Sequence, residues 1–298
     1  MTRALIITNP AAARADEARL LAAHKRLCAG GLRTEIARTT AAGDGERLAR
    51  QGVADGVDVV IAHGGDGTAM DVASALVGTG RPLGLLPAGT GNLLAGNLGI
   101  SRSWRVASDL ILRGVPRTVD LGRITSAAGS RIFAVACGAG FDAELMRSTQ
   151  PRHKRLFGMF AYVATAVSLA RAITRAHIRL EADGVVHEAH AALVLVANCG
   201  QLIPGILPLH PGVRPDDGVF DIVILDASSL PGAARLVWWM LLRRPHAVPG
   251  ITFLRASSVR LTTEPALPVQ ADGESAGLTP VSVEMLPLAL RVLAPVRA

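Results

Sequence analysis

The sequence predicts an α/β domain built on a parallel sheet, followed by an antiparallel β-sandwich. Two observations carry this. Over residues 1–120, short apolar runs of β character alternate with helical patterns, the order that builds a parallel sheet flanked by helices. Beyond Val119 the texture changes to closely spaced strands with only two helical interruptions.

In order, "ALIIT" reads as a first strand, residues 16–29 as a helix, "RTEIART" as a second strand and 44–52 as a second helix. "VDVVIAHGG" is a third strand, 68–78 a third helix and "PLGLLPAG" a fourth strand. The second half reads "RIFAVACGAG", "HIRLEADG", "HEAHAALVLVANC", "VFDIVILD", "SVRLTTE" and "PVSVEML" as strands, with helices near 156–174 and 229–243. This gives domains at 1–120 and 121–286, with a tail at 287–298. A ligand cleft between two such domains is the default expectation.

Composition narrows the function. A chain of 298 residues with 50% hydrophobic content has ample core, which excludes disorder. The net charge of +7 is carried by arginine, since Lys25 and Lys154 are the only lysines. Such a surface suits ATP or anionic lipid. Nucleic acid is argued against by 3% aromatics and the lack of any basic-aromatic motif. Cys28, Cys137 and Cys199 are too scattered for a disulfide framework or zinc site and read as buried thiols in a reducing compartment. The N-terminus reads as strand and turn, not as a signal peptide. The uncharged run 82–101 is broken by glycines and Pro87, so it fails as a membrane span. "LFGMFAYVATAVSLA" (156–170) and "RLVWWMLLRR" (235–244) read as packed helices with charged ends, or as helices lying on a membrane surface.

Two motifs compete around "QADGESAG". Gly273 to Gly277 fits G-x-S-x-G, the nucleophile elbow of hydrolases. An elbow needs a helix after the serine, and a histidine later in the chain. Here Pro280 and alternating apolar residues predict a strand, and no histidine follows Ser275. The carboxylates of Asp272 and Glu274 are the stronger candidates.

"VDVVIAHGGDGTAMDVASAL" runs a strand through Gly64-Gly65-Asp66-Gly67-Thr68 into a helix. Glycines allow close backbone approach, and the free N–H groups of a helix start suit phosphate. A second glycine turn, Gly89-Thr90-Gly91-Asn92, also ends a strand. In a parallel sheet both turns lie at the carboxyl edge, where ligands bind. Neither is a P-loop or a dinucleotide fingerprint.

"GGDGT" followed by "PAGTGN" resembles the diacylglycerol kinase catalytic domain, shared by bacterial lipid kinases and sphingosine kinases and distantly related to NAD kinases. The likeness extends along the chain: Asn9-Pro10, Thr39-Thr40, Gly138-Ala139-Gly140-Phe141-Asp142, Pro215-Asp216-Asp217-Gly218 and Asp272-Gly273-Glu274. It implies an N-terminal nucleotide domain, a C-terminal β-sandwich and a chain end that returns to the first domain. It also implies ATP-dependent phosphoryl transfer to a lipid hydroxyl at the cytoplasmic face of a membrane, with diacylglycerol the leading acceptor and a homodimer allowed. ATP contacts then fall on Asn9, Thr40, Gly64, Gly65, Asp66, Gly67, Thr68 and Thr90, with Gly89, Gly91 and Asn92 shaping the second turn. Mg²⁺ is implied at Asp217, beside the carbonyls of Arg214 and Val219, an oxygen set of the kind Mg²⁺ prefers. The general base is implied at the acidic turn, with Glu274 ahead of Asp272 and Asp66 a third candidate. An NAD kinase-like enzyme of a soluble substrate, or a catalytically silent regulator, are the alternatives.

Three departures from the resemblance concern single contacts. Met70-Asp71 replaces Asn-Glu, Asn92-Leu93-Leu94 replaces Asn-Asp-Phe, and "NPAAAR" lacks a glycine.

Overall fold

The computed structural model describes residues 2–140, 176–205, 207–209, 212–225 and 250–296. The helices expected at 156–174 and 229–243, the stretches 156–170 and 235–244, and Phe141-Asp142 lie outside the described residues. The chain forms two compact units, Met1–Leu121 with Pro287–Ala298, and Gly122–Leu286.

The first unit runs β1 (Arg3–Thr8), α1 (Glu17–Ala29), β2 (Arg33–Arg38), α2 (Asp44–Ala54), β3 (Val59–Gly64), α3 (Asp66–Leu76), β4 (Leu83–Pro87), α4 (Leu93–Asn97) and α5 (Trp104–Arg113), then enters β5 (Val115–Ser126). Strands β2, β1, β3 and β4 pair in that order and all in parallel. The continuous apolar runs of β1 and β3 are buried along nearly their whole length, as parallel strands covered on both faces must be, whereas β2 at the edge alternates. Helix α1 is capped by the Asp16 carboxylate, which accepts the Arg19 N–H at 3.1 Å, and it buries Leu20, Ala23 and Leu27 on one face. Helix α3 starts at Asp66, two residues before the sequence expectation, so Asp66 and Gly67 belong to its first turn. Helices α4 and α5 were not anticipated.

The second unit contains β6 (Gly129–Phe133), β7 (Ala136–Ala139), β8 (Ala176–Ala182), β9 (Val185–Ala191), β10 (Leu193–Ala197), β11 (Gln201–Ile203), β12 (Leu207–Pro208), β13 (Phe220–Leu225), β14 (Ile251–Ala256), β15 (Ser258–Glu264), β16 (Pro268–Ala271) and β17 (Glu274–Leu278). Strand β18 (Val281–Ala294) starts here and ends in the first unit, where Val292 pairs in parallel with Leu83 of β4. Six strands form one antiparallel sheet, β14-β13-β10-β7-β16-β17. Its inner face packs Val194, Val196, Ile222, Ile224 and Val269 in one core with Ile178, Leu180, Val259, Leu261 and Val283 of the facing sheet. The outer face is also apolar, with Leu195, Val223, Leu209 and Val213 clustered on it. The run "RIFAVACGAG", expected as one strand, is broken between β6 and β7 at Ala134-Val135.

Candidate active site

In the first unit, Thr8 pairs with both Arg38 and His63, and Gly64 with Pro87, so the loops after β1, β2, β3 and β4 leave the sheet at one edge. Chain order reverses between β1 and β3, the switch point at which α/β sheets open a crevice. Asn9 and Gly64-Gly65 lie there. The Asn9 N–H donates to the His63 carbonyl at 3.0 Å, and Asn9 Oδ1 accepts the Ala11 N–H at 2.9 Å. Directly behind, Thr8 Oγ1 and buried His63 Nδ1 are 2.8 Å apart. Burial pushes the His63 pKa down from 6.5, against weaker opposing pulls from Glu17 and Asp16.

The two glycine turns are in contact. A Cβ on Gly89 would stand 2.4 Å from the Gly65 Cα, so any side chain there drives one turn off the other. A Cβ on Gly64 would meet Thr68 Oγ1 at 2.5 Å; Thr68 is accordingly buried over Gly64. Gly67, by contrast, has nothing within 4 Å of its Cβ position. Helix α3 opens at Gly65 without a side-chain cap, which leaves its first N–H groups for an anion.

Asp66 ties the turns together. Its Oδ1 accepts the Leu93 N–H at 2.5 Å, and the N–H groups of Asn92 and Leu94 act on the same carboxylate. It therefore caps α4 from a distance. Burial raises its pKa against those donors. Asn92, at φ 51°, closes the second turn by accepting the Gly89 N–H at 3.0 Å and donating to the Gly89 carbonyl at 2.8 Å. Thr90 is exposed, and the carbonyls of Thr90 and Gly91 accept from Arg102 at 3.4 and 2.9 Å. Thr40 gives its hydroxyl and N–H to Asp44 Oδ2 at 2.7 and 2.8 Å, and these bonds hold the Asp44 pKa well below the usual carboxylate range. Arg102 and His63 had no distinguishing sequence signal.

In the second unit, Asp272 and Glu274 share one turn with opposite commitments. Asp272 Oδ2 accepts the Ala134 N–H at 2.7 Å, while Oδ1 accepts those of Val135 and Ala136 at 2.9 and 3.0 Å. The same Ala134-Val135 kink is held from the other side: Asn198 Nδ2 donates to the Ala134 carbonyl at 2.8 Å, and the Asn198 N–H to the Val135 carbonyl at 2.9 Å. Asn198 is fully buried and was missed in the sequence, as was Asp120, whose buried carboxylate in the first unit accepts the Leu288 N–H at 2.6 Å. The Glu274 side chain is exposed and makes no hydrogen bond or ion pair among the described residues.

The turn expected to take Mg²⁺ is an ion-paired loop. Asp217 accepts from Arg255 and, at 3.4 Å, from the Val219 N–H; Arg255 also reaches Asp221 at 3.5 Å, and Arg214 pairs with Asp216 at 3.1 Å. Among the described residues no cluster of three His, Cys, Asp or Glu side chains is arranged for a metal. Side-chain ligation there comes to one carboxylate beside backbone carbonyls. One carboxylate with retained waters is a set Mg²⁺ accepts, but Asp217 is engaged by Arg255 here and would have to give up that partner to a metal.

A parallel α/β sheet with two touching glycine turns at one edge, on a chain that continues into an antiparallel sandwich, is the build of the NAD kinase-like fold class. Residues 3–124 match the diacylglycerol kinase catalytic domain, and residues 135–294 the YegS C-terminal NAD kinase beta sandwich-like domain. The chain belongs to this kinase family. It is 30% identical to a diacylglycerol kinase of Bacillus subtilis over 94% of this chain and 92% of that one. It is 32% identical to an uncharacterised protein of Synechocystis sp. over 81% of this chain, and spans 56% of that protein's length. A Bacillus anthracis crystal structure described as a candidate diacylglycerol kinase superposes with a TM-score of 0.81 at 25% identity, covering 98% of this chain and 95% of that one.

Proposed function

We propose that this protein is an ATP- and Mg²⁺-dependent lipid kinase that transfers the γ-phosphate to a lipid hydroxyl, with diacylglycerol the first candidate. The observation that carries this is the contrast within one turn. Asp272 is spent on three backbone N–H groups, whereas Glu274 stands exposed and uncommitted, the state a proton acceptor needs before its substrate arrives. Glu274 is thus the base, and Asp272 positions it by fixing the turn.

ATP phosphates occupy the N–H groups of Gly65 to Thr68 and the Thr90 turn, with the Asn9 side chain at the switch point. Asp66 shapes this cradle through α4 instead of contacting the acceptor. Asp217 and the carbonyls of Arg214 and Val219 hold Mg²⁺, which when bound offsets phosphate charge. The acceptor is taken at the cytoplasmic membrane face; no helix among the described residues is long and apolar enough to cross a bilayer.

The test is transfer from labelled ATP into mixed micelles of diacylglycerol, a sphingoid base and phosphatidylglycerol, with NAD as a soluble control. Label in one lipid class is expected. Glu274→Gln should lower kcat about a hundred- to ten-thousand-fold with ATP affinity intact. Label in NAD alone, or full activity in Glu274→Gln, would refute the proposal.

A further inference from the structure

We infer that His177 and His190 form a binding site for a late first-row divalent cation, on a part of the second unit that the kinase chemistry does not use. The site begins with a turn. Strands β8 and β9 are joined by Asp183-Gly184 alone, at φ 45° and 85°, the left-handed pair that a two-residue hairpin requires. That turn fixes the register, which sets His177 directly opposite His190. Antiparallel pairs alternate between hydrogen-bonded and non-hydrogen-bonded. Counted from Ala182 and Val185, which close the turn, His177 and His190 fall on a non-hydrogen-bonded pair, the kind whose side chains come closest.

The face follows from the period of the strand. Ile178 and Leu180 enter the sandwich core, so His177 and His190 stand on the outer face, and both are exposed. Their ring centroids are 5.3 Å apart with the planes at 68°. Among the described residues neither ring makes a hydrogen bond or an ion pair. Two bonds of about 2.0–2.1 Å to one ion allow at most ~4.2 Å between the ligating nitrogens. Histidine χ2 is a broad torsion, so exposed rings at this separation can each turn a nitrogen toward a common ion. Glu264 of β15 continues the row on the other side of His177, exposed and without a hydrogen bond or ion pair among the described residues. Its charge favours a cation beside the pair, while the next row is neutral within itself, Arg179 meeting Glu188 at 3.1 Å. The three side chains are not gathered round one point, so the histidine pair, completed by water, is the donor set. Imidazole selects Ni²⁺, Cu²⁺ or Zn²⁺ over Mg²⁺, which prefers oxygen. An ion held there ties edge strand β9 to β8 at the open end of the hairpin, just before the chain leaves for β10 in the other sheet.

The probe is Ni²⁺, titrated by calorimetry into the full-length protein at about pH 7.5, with excess Mg²⁺ to fill oxygen sites such as that at Asp217. His177→Gln and His190→Gln should each weaken binding at least ten-fold, since losing even an outer partner of a metal ligand costs about 10–100-fold. His187→Gln is the control: it lies on β9 but opposite core residue Leu180, and should bind Ni²⁺ as the wild type does. Ni²⁺ at ten times its dissociation constant should raise the thermal midpoint by about 3–6 °C in the wild type and not in the two variants. Both positions are exposed, so neither variant should unfold the sandwich. Binding that survives in His177→Gln and His190→Gln would put the ion elsewhere and overturn the assignment. A wild type that takes up no Ni²⁺ would overturn it as well, and neither result touches the lipid-kinase reading.

Discussion

Removing the Asp272 carboxylate would orphan the N–H groups of Ala134, Val135 and Ala136 at once. Each unsatisfied buried donor costs about 1–3 kcal/mol, so Asp272→Ala should lose about 3 kcal/mol or more in denaturant unfolding. Glu274→Ala, two positions on and exposed, should stay within about 0.5 kcal/mol of the wild type while losing activity. Equal destabilisation by both would contradict the division of labour in this turn. His63 sets a pH dependence. Its folded pKa lies below 6.5, so the unfolded chain takes up its proton first as pH falls. Its contribution to stability is therefore complete above pH 6.5 and is lost as the pH falls toward the depressed folded value. Melting curves from pH 8 downward should show this loss, and His63→Gln should flatten it.

At the scale of elements, the glycines of the cradle divide into two kinds. Gly89→Ala forces a Cβ to within 2.4 Å of the Gly65 backbone, and should lower both melting temperature and nucleotide affinity. Gly67→Ala meets nothing and sits in a helix, so it should hold or slightly raise the melting temperature. Any loss of nucleotide affinity there, read by titration calorimetry, reports phosphate approach alone. The β–α alternation of the first unit was legible because apolar runs and helical periods are local signals. The glycine turns were legible because their chemistry lies within five residues. The break between β6 and β7 was not, since its cause is Asp272, 137 residues after Val135. The helical cap supplied by Asp66 was hidden likewise, because its partner Leu93 lies 27 residues on, across two strand ends. Local pattern named the carboxylates; only the folded chain shows which of them is already engaged.

At the scale of the molecule, the first unit is discontinuous in sequence. Leu290, Val292 and Leu293 of β18 are buried in it, and Asp120 holds the Leu288 N–H. Three such side chains are worth about 1.5–3 kcal/mol each, against a typical total of about 5–15 kcal/mol for a domain. Deleting Pro287–Ala298 should leave residues 2–121 open to limited proteolysis, whereas a resistant fragment of that region would show that the returning strand is dispensable.

That returning strand also governs the order of events during synthesis. Residues up to Leu121 leave the ribosome first, but their sheet waits for β18 until all of Gly122–Leu286 has been made. At about 5–20 residues per second, the edge of β4 stays uncovered for on the order of ten seconds. A nascent kinase of this architecture thus passes through a stage when its first unit is the older half and yet the last to be finished.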